Sequence, residues 1–290
     1  MKQIKGYIEI KSTIDLRLAD IPAKPKPRYR SEKEYQALLS DNHMRLEEYQ
    51  TLLYANHERS LLIIFQGMDT AGKDGAIKHV MSGVNPQGCS VVSFKTPTPT
   101  ELAHDFLWKA NQFLPARGQI GIFNRSYYEE VLITRVHPEL LEKEKLPNGA
   151  KQGEKFWQHR YQDIVNYEKH LHRQGYEVIK IFIHISKDEQ KQRLLNRFSN
   201  AKKIWKISEG DIHERRFWKE YQRAYEKCIK YTASKSNPWY IVPGNDKESA
   251  RLSISQILVD RLKDLRLEYP KLKPEEKKQL KKLKALLSKK

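Results

Sequence analysis

The segment with the clearest chemical signature is the glycine-rich stretch GMDTAGKD at residues 67–74. It follows an apolar run at residues 61–65, opens a helical pattern, and matches the G-x-x-x-x-G-K spacing of a phosphate-binding loop. Gly67 and Gly72 would let backbone N–H groups surround a phosphate, while Lys73 adds a point charge. A chance glycine-rich turn is the alternative, but the strand–loop–helix context favours phosphate binding.

Two carboxylates distinguish this loop from one that cradles only a triphosphate. Asp74 takes the position where a Ser or Thr hydroxyl usually holds Mg²⁺, and Asp69 lies inside the loop. Negative charge adds nothing to a phosphate cradle, so these residues indicate metal coordination or orientation of an acceptor oxygen. We assign Asp69 to the metal. For Asp74, a capping role at the start of the helix stays open beside metal ligation.

A second polar motif, FNRSYYEE at residues 123–130, follows another apolar run and opens another helical pattern. Asn124 takes the strand-end position that often carries a Walker B carboxylate, so it can orient a metal but not neutralise it. Arg125 would enter the same crevice as a phosphate clamp. Glu129 would compensate for the missing carboxylate or contact the nucleotide. The predicted nucleotide-binding residues are Asn124, Arg125, Tyr128 and Glu129. An ordinary helix cap is the alternative interpretation.

Arginines and lysines are concentrated in a third region. Arg193 and Arg197 are four residues apart on one face of a predicted helix, and a loop with Lys202 and Lys203 follows. Two helices with a basic connector are typical of the lid of a nucleotide kinase, which brings arginines over the phosphates and excludes water. We place this lid at about residues 193–215. A solvated charged hairpin is the alternative.

The predicted anion path extends beyond the loop and the lid. A proline-stiffened loop at residues 94–101 carries Lys95, which is well sited for phosphate, and Lys78 lies on the helix that follows the phosphate loop. The predicted phosphate-binding residues are Gly67, Ala71, Gly72, Lys73, Asp74, Lys78, Lys95, Lys202 and Lys203. The predicted catalytic residues are Asp69, Lys73, Arg125, Arg193 and Arg197.

Alternating strand and helix patterns position these motifs. Prolines mark a linker at residues 23–30, and Ser31 with Glu34 predicts the start of a helix that runs to about residue 56. The later pattern predicts parallel strands in a three-layer α/β/α fold, with ligands at the carboxyl ends of the strands. Predicted strands span residues 61–65, 90–94, 119–123, 177–185 and 239–242; predicted helices span 72–84, 100–114, 126–135, 153–174, 187–198, 211–234 and 247–268.

The charge balance favours a polyanionic partner. The chain of 290 residues has 54 Lys+Arg against 36 Asp+Glu, a net charge of +18 that attracts nucleic acid, anionic lipid or polyphosphate. Part of this excess lies in the nine lysines of the last 22 residues. We divide the chain into an N-terminal extension and helix at 1–58, a phosphotransferase domain at 59–268, and a basic C-terminal helix or tail at 269–290.

Composition also indicates the compartment. Apolar runs are strand-sized and fall short of the roughly 18 residues that a membrane span needs. The two cysteines, Cys89 and Cys228, are far apart and lack metal-ligand spacing, which argues against a disulfide framework and a zinc site. We expect a cytoplasmic protein without a signal peptide and without a membrane partner.

Taken in order, these motifs resemble those of the family-2 polyphosphate kinases. The resemblance runs from about residue 30 to 268, and the ordered set is far more specific than the phosphate loop alone. The matching strings are GMDTAGKDG (67–75), NPQG (85–88), FKTPT (94–98), ELAHDFLW (101–108), FNRSYYE (123–129), HISKDEQ (184–190), WKISEGD (205–211) and NPWYIVP (237–243).

The resemblance implies a thymidylate-kinase-like fold, dependence on Mg²⁺ with Mn²⁺ as a substitute, and reversible transfer between polyphosphate and nucleotides. It gives Asp69 and the strand-end position to the metal, and Lys73 and Arg125 to the transferring phosphates. Asn124 replaces the Asp of part of the family, so the resemblance does not carry metal ligation over to this position. Asn with the Tyr-Tyr-Glu at residues 127–129 is similar to the group that accepts AMP as well as ADP. The same resemblance implies that the nucleotides carry adenine, with guanine as an extension. It also implies a homodimer or homotetramer with the N-terminal helix at its interface.

Two other functions share parts of this pattern. An ATP-dependent nucleoside monophosphate kinase would use the same loop and lid with ATP as donor, but Asp69, Asp74 and the basic excess count against it. A nucleic-acid-binding phosphate-loop protein is suggested by the net charge, although the sequence contains no recognised nucleic-acid module, so no specific nucleic-acid partner is expected.

Overall fold

The computed structural model describes residues 3–4, 6–25, 28–147 and 153–288. Part of the predicted linker (26–27) and the last two lysines of the tail therefore lie outside the described residues. Across the described ranges, each helix is too short or too polar to cross a membrane.

A seven-stranded sheet forms the centre of the molecule, in the order β1-β2-β7-β6-β3-β5-β4. The five strands from β7 to β4 are parallel, whereas β1 and β2 form an antiparallel hairpin whose second strand pairs with β7. All eight residues of β3 are buried, as expected for an interior strand of a sheet covered on both faces. The strands are β1 (Gln3–Ile4), β2 (Tyr7–Ile10), β3 (Ser60–Gly67), β4 (Cys89–Ser93), β5 (Ile120–Asn124), β6 (Tyr176–His184) and β7 (Trp239–Pro243).

Helices pack in two layers around the sheet. The first layer is α1, α2 and α10, which contact one another, and the second is α5, α6 and α9. The predicted three-layer α/β/α fold is confirmed. The helices are α1 (Glu32–Asn56), α2 (Lys73–Val80), α3 (Pro99–Leu102), α4 (Trp108–Gln112), α5 (Glu129–Val136), α6 (Gly153–Arg173), α7 (Lys187–Phe198), α8 (Glu209–Glu214), α9 (Trp218–Thr232), α10 (Lys247–Asp264) and α11 (Pro274–Leu287). Single 3₁₀ turns lie at Leu18–Asp20, Pro86–Gly88, Pro138–Lys143, Ile204–Lys206 and Arg215–Phe217.

Local capping explains where several helices begin. The Ser31 side chain accepts a hydrogen bond from the Glu34 amide and starts α1, as predicted. The apolar stripe of α1 packs on α10, so its buried leucines serve the fold of this chain. The basic C-terminal segment forms α11, and every residue of that helix is exposed.

Three sequence predictions for regular elements are wrong. The hairpin β1–β2 is missing from the prediction, which assigns only a linker and a helix to the N-terminal extension. The single helix predicted at residues 100–114 is two short helices, because the Asp105 side chain accepts a hydrogen bond from the Leu107 amide at 2.9 Å and turns the chain between them. The helix predicted at 211–234 is also divided, into α8 and α9 with a 3₁₀ turn between.

Candidate active site

The phosphate loop connects the carboxyl end of β3 to the first turn of α2. Position 67 requires a glycine, because its φ is +155° and a Cβ there would lie 2.8 Å from the Ile183 carbonyl oxygen. Lys73 is 8% exposed, and its ammonium donates to the Gly67 carbonyl at 2.8 Å. Burial, and then the nearby Arg125, lower the pKa of Lys73 to about 8. The loop therefore holds a buried cation at the amino end of a helix, which suits a polyanion.

Arg125 lies beside the loop and is flanked by two carboxylates. Its Nη2 lies 2.6 Å from Asp69 Oδ1, and its Nη1 lies 3.6 Å from Glu129 Oε2. Glu129 and then Asp69 hold the pKa of Arg125 above its usual range. Burial raises the pKa of Glu129, against the effect of Arg125 and Lys73. The predicted metal ligand and the predicted phosphate clamp are thus in direct contact.

Asn124 joins the second motif to the phosphate loop. It is the last residue of β5, and its amide donates to Asp74 Oδ1 at 2.8 Å. Asp74 is in the first turn of α2, and its second oxygen lies 3.9 Å from the ammonium of Lys206 in the lid segment. The Asn124 side chain therefore orients a loop carboxylate.

Arg193 is built into the base of the loop. It is 8% exposed, and its Nη1 donates to the carbonyls of Thr70 and Ala71 at 3.1 and 2.8 Å. Its Nη2 donates to the Gly244 carbonyl at 2.5 Å, and its Nε lies 2.7 Å from Glu189. These bonds tie α7, the phosphate loop and the end of β7 together.

Arg197, one turn further along α7, binds the lid segment to the end of that helix. Its Nη1 donates to Asp211 Oδ2 at 2.6 Å and to the Lys206 carbonyl at 3.0 Å. The segment between Arg197 and Asp211 contains the exposed Lys203 and Trp205. The two predicted lid arginines thus differ, because Arg193 holds the loop whereas Arg197 holds the lid.

Two large spaces open at the carboxyl ends of the described strands. The phosphate cleft has a volume of about 840 Å³, and the side pocket has a volume of about 350 Å³; they share Phe94, Lys95, Thr96 and Arg125. The phosphate cleft is lined by residues 69–75, by the carboxyl ends of β4 and β5, and by basic side chains. Those basic side chains are Lys73, Lys95, Arg125, Arg193, Arg197, Lys203, Lys206 and Lys247.

The side pocket has apolar walls and a charged end. Phe94, Pro97, Leu102, Phe106 and Ile133 are among the apolar residues that line it. Glu130 and Glu144 lie at its charged end, where both pair with the buried guanidinium of Arg160. Burial, and then Glu144, raise the pKa of Glu130 to about 7. An apolar pocket with a few fixed polar groups is typical of a site for a small organic ligand.

The structure brings most of the predicted site residues together. Among the described residues, Lys78 and Lys202 are exposed and do not line either space. The prediction for Tyr128 is wrong: this side chain is 0% exposed and packs on Trp239 in the core, so it cannot contact a nucleotide. The prediction also leaves out Lys206 and Lys247. Lys247 begins α10 just after β7, so the rule that sites lie beyond strand ends could have found it.

A divalent cation fits the oxygen ligands of the phosphate cleft. Within the described ranges, no group of three or more His, Cys, Asp or Glu side chains could hold a metal unaided. Mg²⁺ is usually held by one or two carboxylates together with substrate phosphates and water. Asp69 and Asp74 supply two carboxylates to this cleft, and Asn124 adds an amide oxygen beside them.

The fold and the site together define a phosphate-loop phosphotransferase. The family model for polyphosphate kinase 2 (PPK2) matches residues 29–270. A relative named ADP-polyphosphate phosphotransferase from Rhodopseudomonas palustris is 50% identical over 259 residues, which cover 89% of this chain and 90% of the relative. One named AMP/ADP-polyphosphate phosphotransferase from Meiothermus ruber is 43% identical over 226 residues, covering 78% and 80%.

Solved structures agree with the family match. The crystal structure of polyphosphate kinase 2 from Arthrobacter aurescens TC1 superposes with a TM-score of 0.81 at 36% identity, covering 96% of this chain and 99% of that one. The chain belongs to the polyphosphate kinase 2 family, and the predicted resemblance is confirmed.

Proposed function

We propose that this chain transfers phosphoryl groups from inorganic polyphosphate to AMP and ADP, reversibly. Membership of the PPK2 family and the names of its relatives support the reaction class. The observation that carries the substrate arrangement is the position of Arg125, which lines both the basic phosphate cleft and the apolar side pocket. The polymer would lie in the cleft and the nucleoside in the side pocket, so that their phosphates meet at Arg125 and the phosphate loop.

Transfer would be direct and in line, without a phosphoenzyme. A terminal phosphate oxygen of the nucleotide attacks the last phosphorus of the polymer, and the bond to the preceding bridging oxygen breaks. The shortened polymer leaves with that electron pair. The attacking oxygen is already ionised at neutral pH, so no protein base has to remove a proton. Catalysis then requires alignment and neutralisation of charge.

The residues of the cleft divide this work. Lys73 and Arg125 bind the transferring phosphates, and Arg197 and Lys203 act from the lid. Arg193 keeps the loop in shape through its bonds to the Thr70 and Ala71 carbonyls. When Mg²⁺ is bound, it supplies charge neutralisation and orientation of phosphate oxygens.

The metal would be held by Asp69, with Asp74 as a further ligand and Asn124 as an orienting amide. Their shared place in the cleft supports this assignment. Mn²⁺ offers the same preference for oxygen ligands and is the expected substitute.

The donor test uses purified protein with Mg²⁺, AMP or ADP, and long-chain polyphosphate, without ATP. Chromatography should show ADP and ATP from AMP, and ATP from ADP. Lys73→Ala is the control for a contaminating kinase, because it should abolish turnover and keep the fold. If polyphosphate gives no product but ATP with AMP gives ADP, the protein is a nucleoside monophosphate kinase and this proposal fails.

We also propose a cytoplasmic homo-oligomer, a dimer or a tetramer, in keeping with the resemblance. The exposed side chains of Met44 and Tyr54 on the outer face of α1 support an interface there. Light scattering after gel filtration measures the mass of the particle, and a monomer at all concentrations would contradict this assembly. Guanine nucleotides in the donor test would show how strictly the side pocket selects the base.

A further inference from the structure

Two consecutive tyrosines before α5 share one buried carboxylate. The hydroxyls of Tyr127 and Tyr128 donate to Oε1 of Glu168, at 2.9 and 2.7 Å. The other oxygen of Glu168 accepts a 2.7 Å hydrogen bond from the ammonium of Lys180. These four side chains, here called the tyrosine network, are at most 1% exposed. Of these four described residues, only Tyr127 lines one of the two large spaces, the side pocket.

Such a network is costly to bury. Lys180 also donates to the Thr232 carbonyl at 2.8 Å and to the Tyr128 hydroxyl at 3.2 Å, so its ammonium has three partners, yet burial still lowers the pKa of Lys180. Replacing a buried ion pair with apolar side chains of similar volume is often neutral or stabilising. Filling the core therefore does not explain the network, whereas a requirement for fixed positions does.

The network begins two residues after Arg125 in the chain. Arg125 has φ +61°, a left-handed conformation that is uncommon for a residue with a side chain. Its amide donates to the Phe65 carbonyl at 2.9 Å, which ties the turn to β3. The Ser126 hydroxyl oxygen accepts hydrogen bonds from Gln66 and from the Tyr128 amide, both at 3.2 Å. The unusual turn is thus fixed on one side by β3 and on the other by the tyrosine hydroxyls.

We propose that the tyrosine network is a positioning device for Arg125: Glu168 and Lys180 hold Tyr127 and Tyr128, which fix the turn that presents the guanidinium to the transferring phosphate. The proposal rests on the proposed function, in which Arg125 binds that phosphate. The four residues touch no reacting atom in this scheme. Their effect is on the geometry of transfer, so they should alter kcat more than the KM of either substrate.

The test combines tyrosine substitutions with loss of Arg125. Tyr127→Phe and Tyr128→Phe should each lower kcat about tenfold and change both KM values less than about twofold. In the Arg125→Ala background, the same substitutions should change the residual kcat, measured at high enzyme concentration, less than about twofold. Tyr240→Phe is the matched control, because it removes another tyrosine-to-glutamate hydrogen bond, to Glu9 of β2 at 3.0 Å, on a strand that lies three places from β5 in the sheet.

Urea unfolding of every variant separates position from stability. Tyr127→Phe leaves Glu168 two of its three donors, so it keeps the test open if Tyr128→Phe folds poorly. The proposal would be overturned if Tyr127→Phe and Tyr128→Phe lowered the free energy of unfolding as much as Tyr240→Phe does but left kcat unchanged. Equal losses of kcat with and without Arg125 would also overturn it. A normal kcat in Arg125→Ala alone would instead overturn the phosphate-binding role of Arg125, on which the inference rests.

Discussion

Lys73→Met should make the protein more stable and inactive. Lys73 is 8% exposed, and burial lowers its pKa from 10.5 to about 8. Holding the charged lysine in the folded state therefore costs about 3 kcal/mol at pH 7. Methionine removes the charge but also the 2.8 Å hydrogen bond to Gly67, which is worth about 1 kcal/mol. We expect the free energy of unfolding to rise by about 2 kcal/mol at pH 7.

The gain should depend on pH in one direction. Because the folded-state pKa of Lys73 is depressed, the folded protein releases this proton above about pH 8, whereas the unfolded chain keeps it to about pH 10.5. The unfolded state binds more protons in that window, so the stability contributed by the wild-type lysine rises with pH. The advantage of Lys73→Met should therefore shrink between those values. Urea titrations at about pH 7, 8.5 and 9.5 measure the difference.

Activity should change in the same window. The charged form of Lys73 binds phosphate, so kcat/KM of the wild type should fall about tenfold per pH unit above about pH 8. Lys73→Arg is the matched control, since its charge persists and its profile should stay flat there. Equal unfolding free energies for wild type and Lys73→Met at every pH would refute the reasoning that the folded loop holds this charge at a cost.

The lid and the tail provide three further tests. Arg193→Met should lower the free energy of unfolding by about 3 kcal/mol in urea titrations, because it leaves loop carbonyls without their donor. Arg197→Met should lower it by less than about 1 kcal/mol, and equal losses for the two variants would contradict this contrast. Replacing Lys202 and Lys203 with glutamate should raise the KM for long polyphosphate more than that for ADP in the chromatographic assay, and equal rises would remove the polymer from this part of the lid. Deleting residues 270–290 should leave the transfer rate within about twofold and weaken retention on immobilised RNA, whereas lost transfer would place the tail in the site.

Sequence patterns were sufficient for the parallel core. Residues 61–65 of β3 are an uninterrupted apolar run, and the glycines and lysine of the phosphate loop come soon after it, so both could be predicted from local signals. The hairpin β1–β2 could not. Its second strand is four residues long, and its partner β7 is distant along the chain, so no local pattern reports the pairing.

The site shows the same division between local and distant information. Spacing places Arg193 and Arg197 on one helix face, but only the packed structure shows that Arg193 binds carbonyls of the phosphate loop. Tyr128 was misassigned because its neighbour Arg125 lines the phosphate cleft and its neighbour Glu129 lines the side pocket, while the turn directs the Tyr128 side chain into the core. The direction of each side chain at this turn depends on the left-handed backbone conformation of Arg125, which the sequence does not reveal.

The pairing of β2 with β7 has a consequence for synthesis. Ile8 is opposite Ile241 in the sheet, so the first strands of the chain must wait for about 230 further residues before their partner exists. At ribosomal rates of roughly 5–20 residues per second, this wait lasts on the order of ten to fifty seconds. During that time Tyr7, Ile8 and Ile10, all buried in the finished protein, have no sheet to join. The hairpin β1–β2 is therefore made before the rest of the sheet and can dock only after β7 has been made.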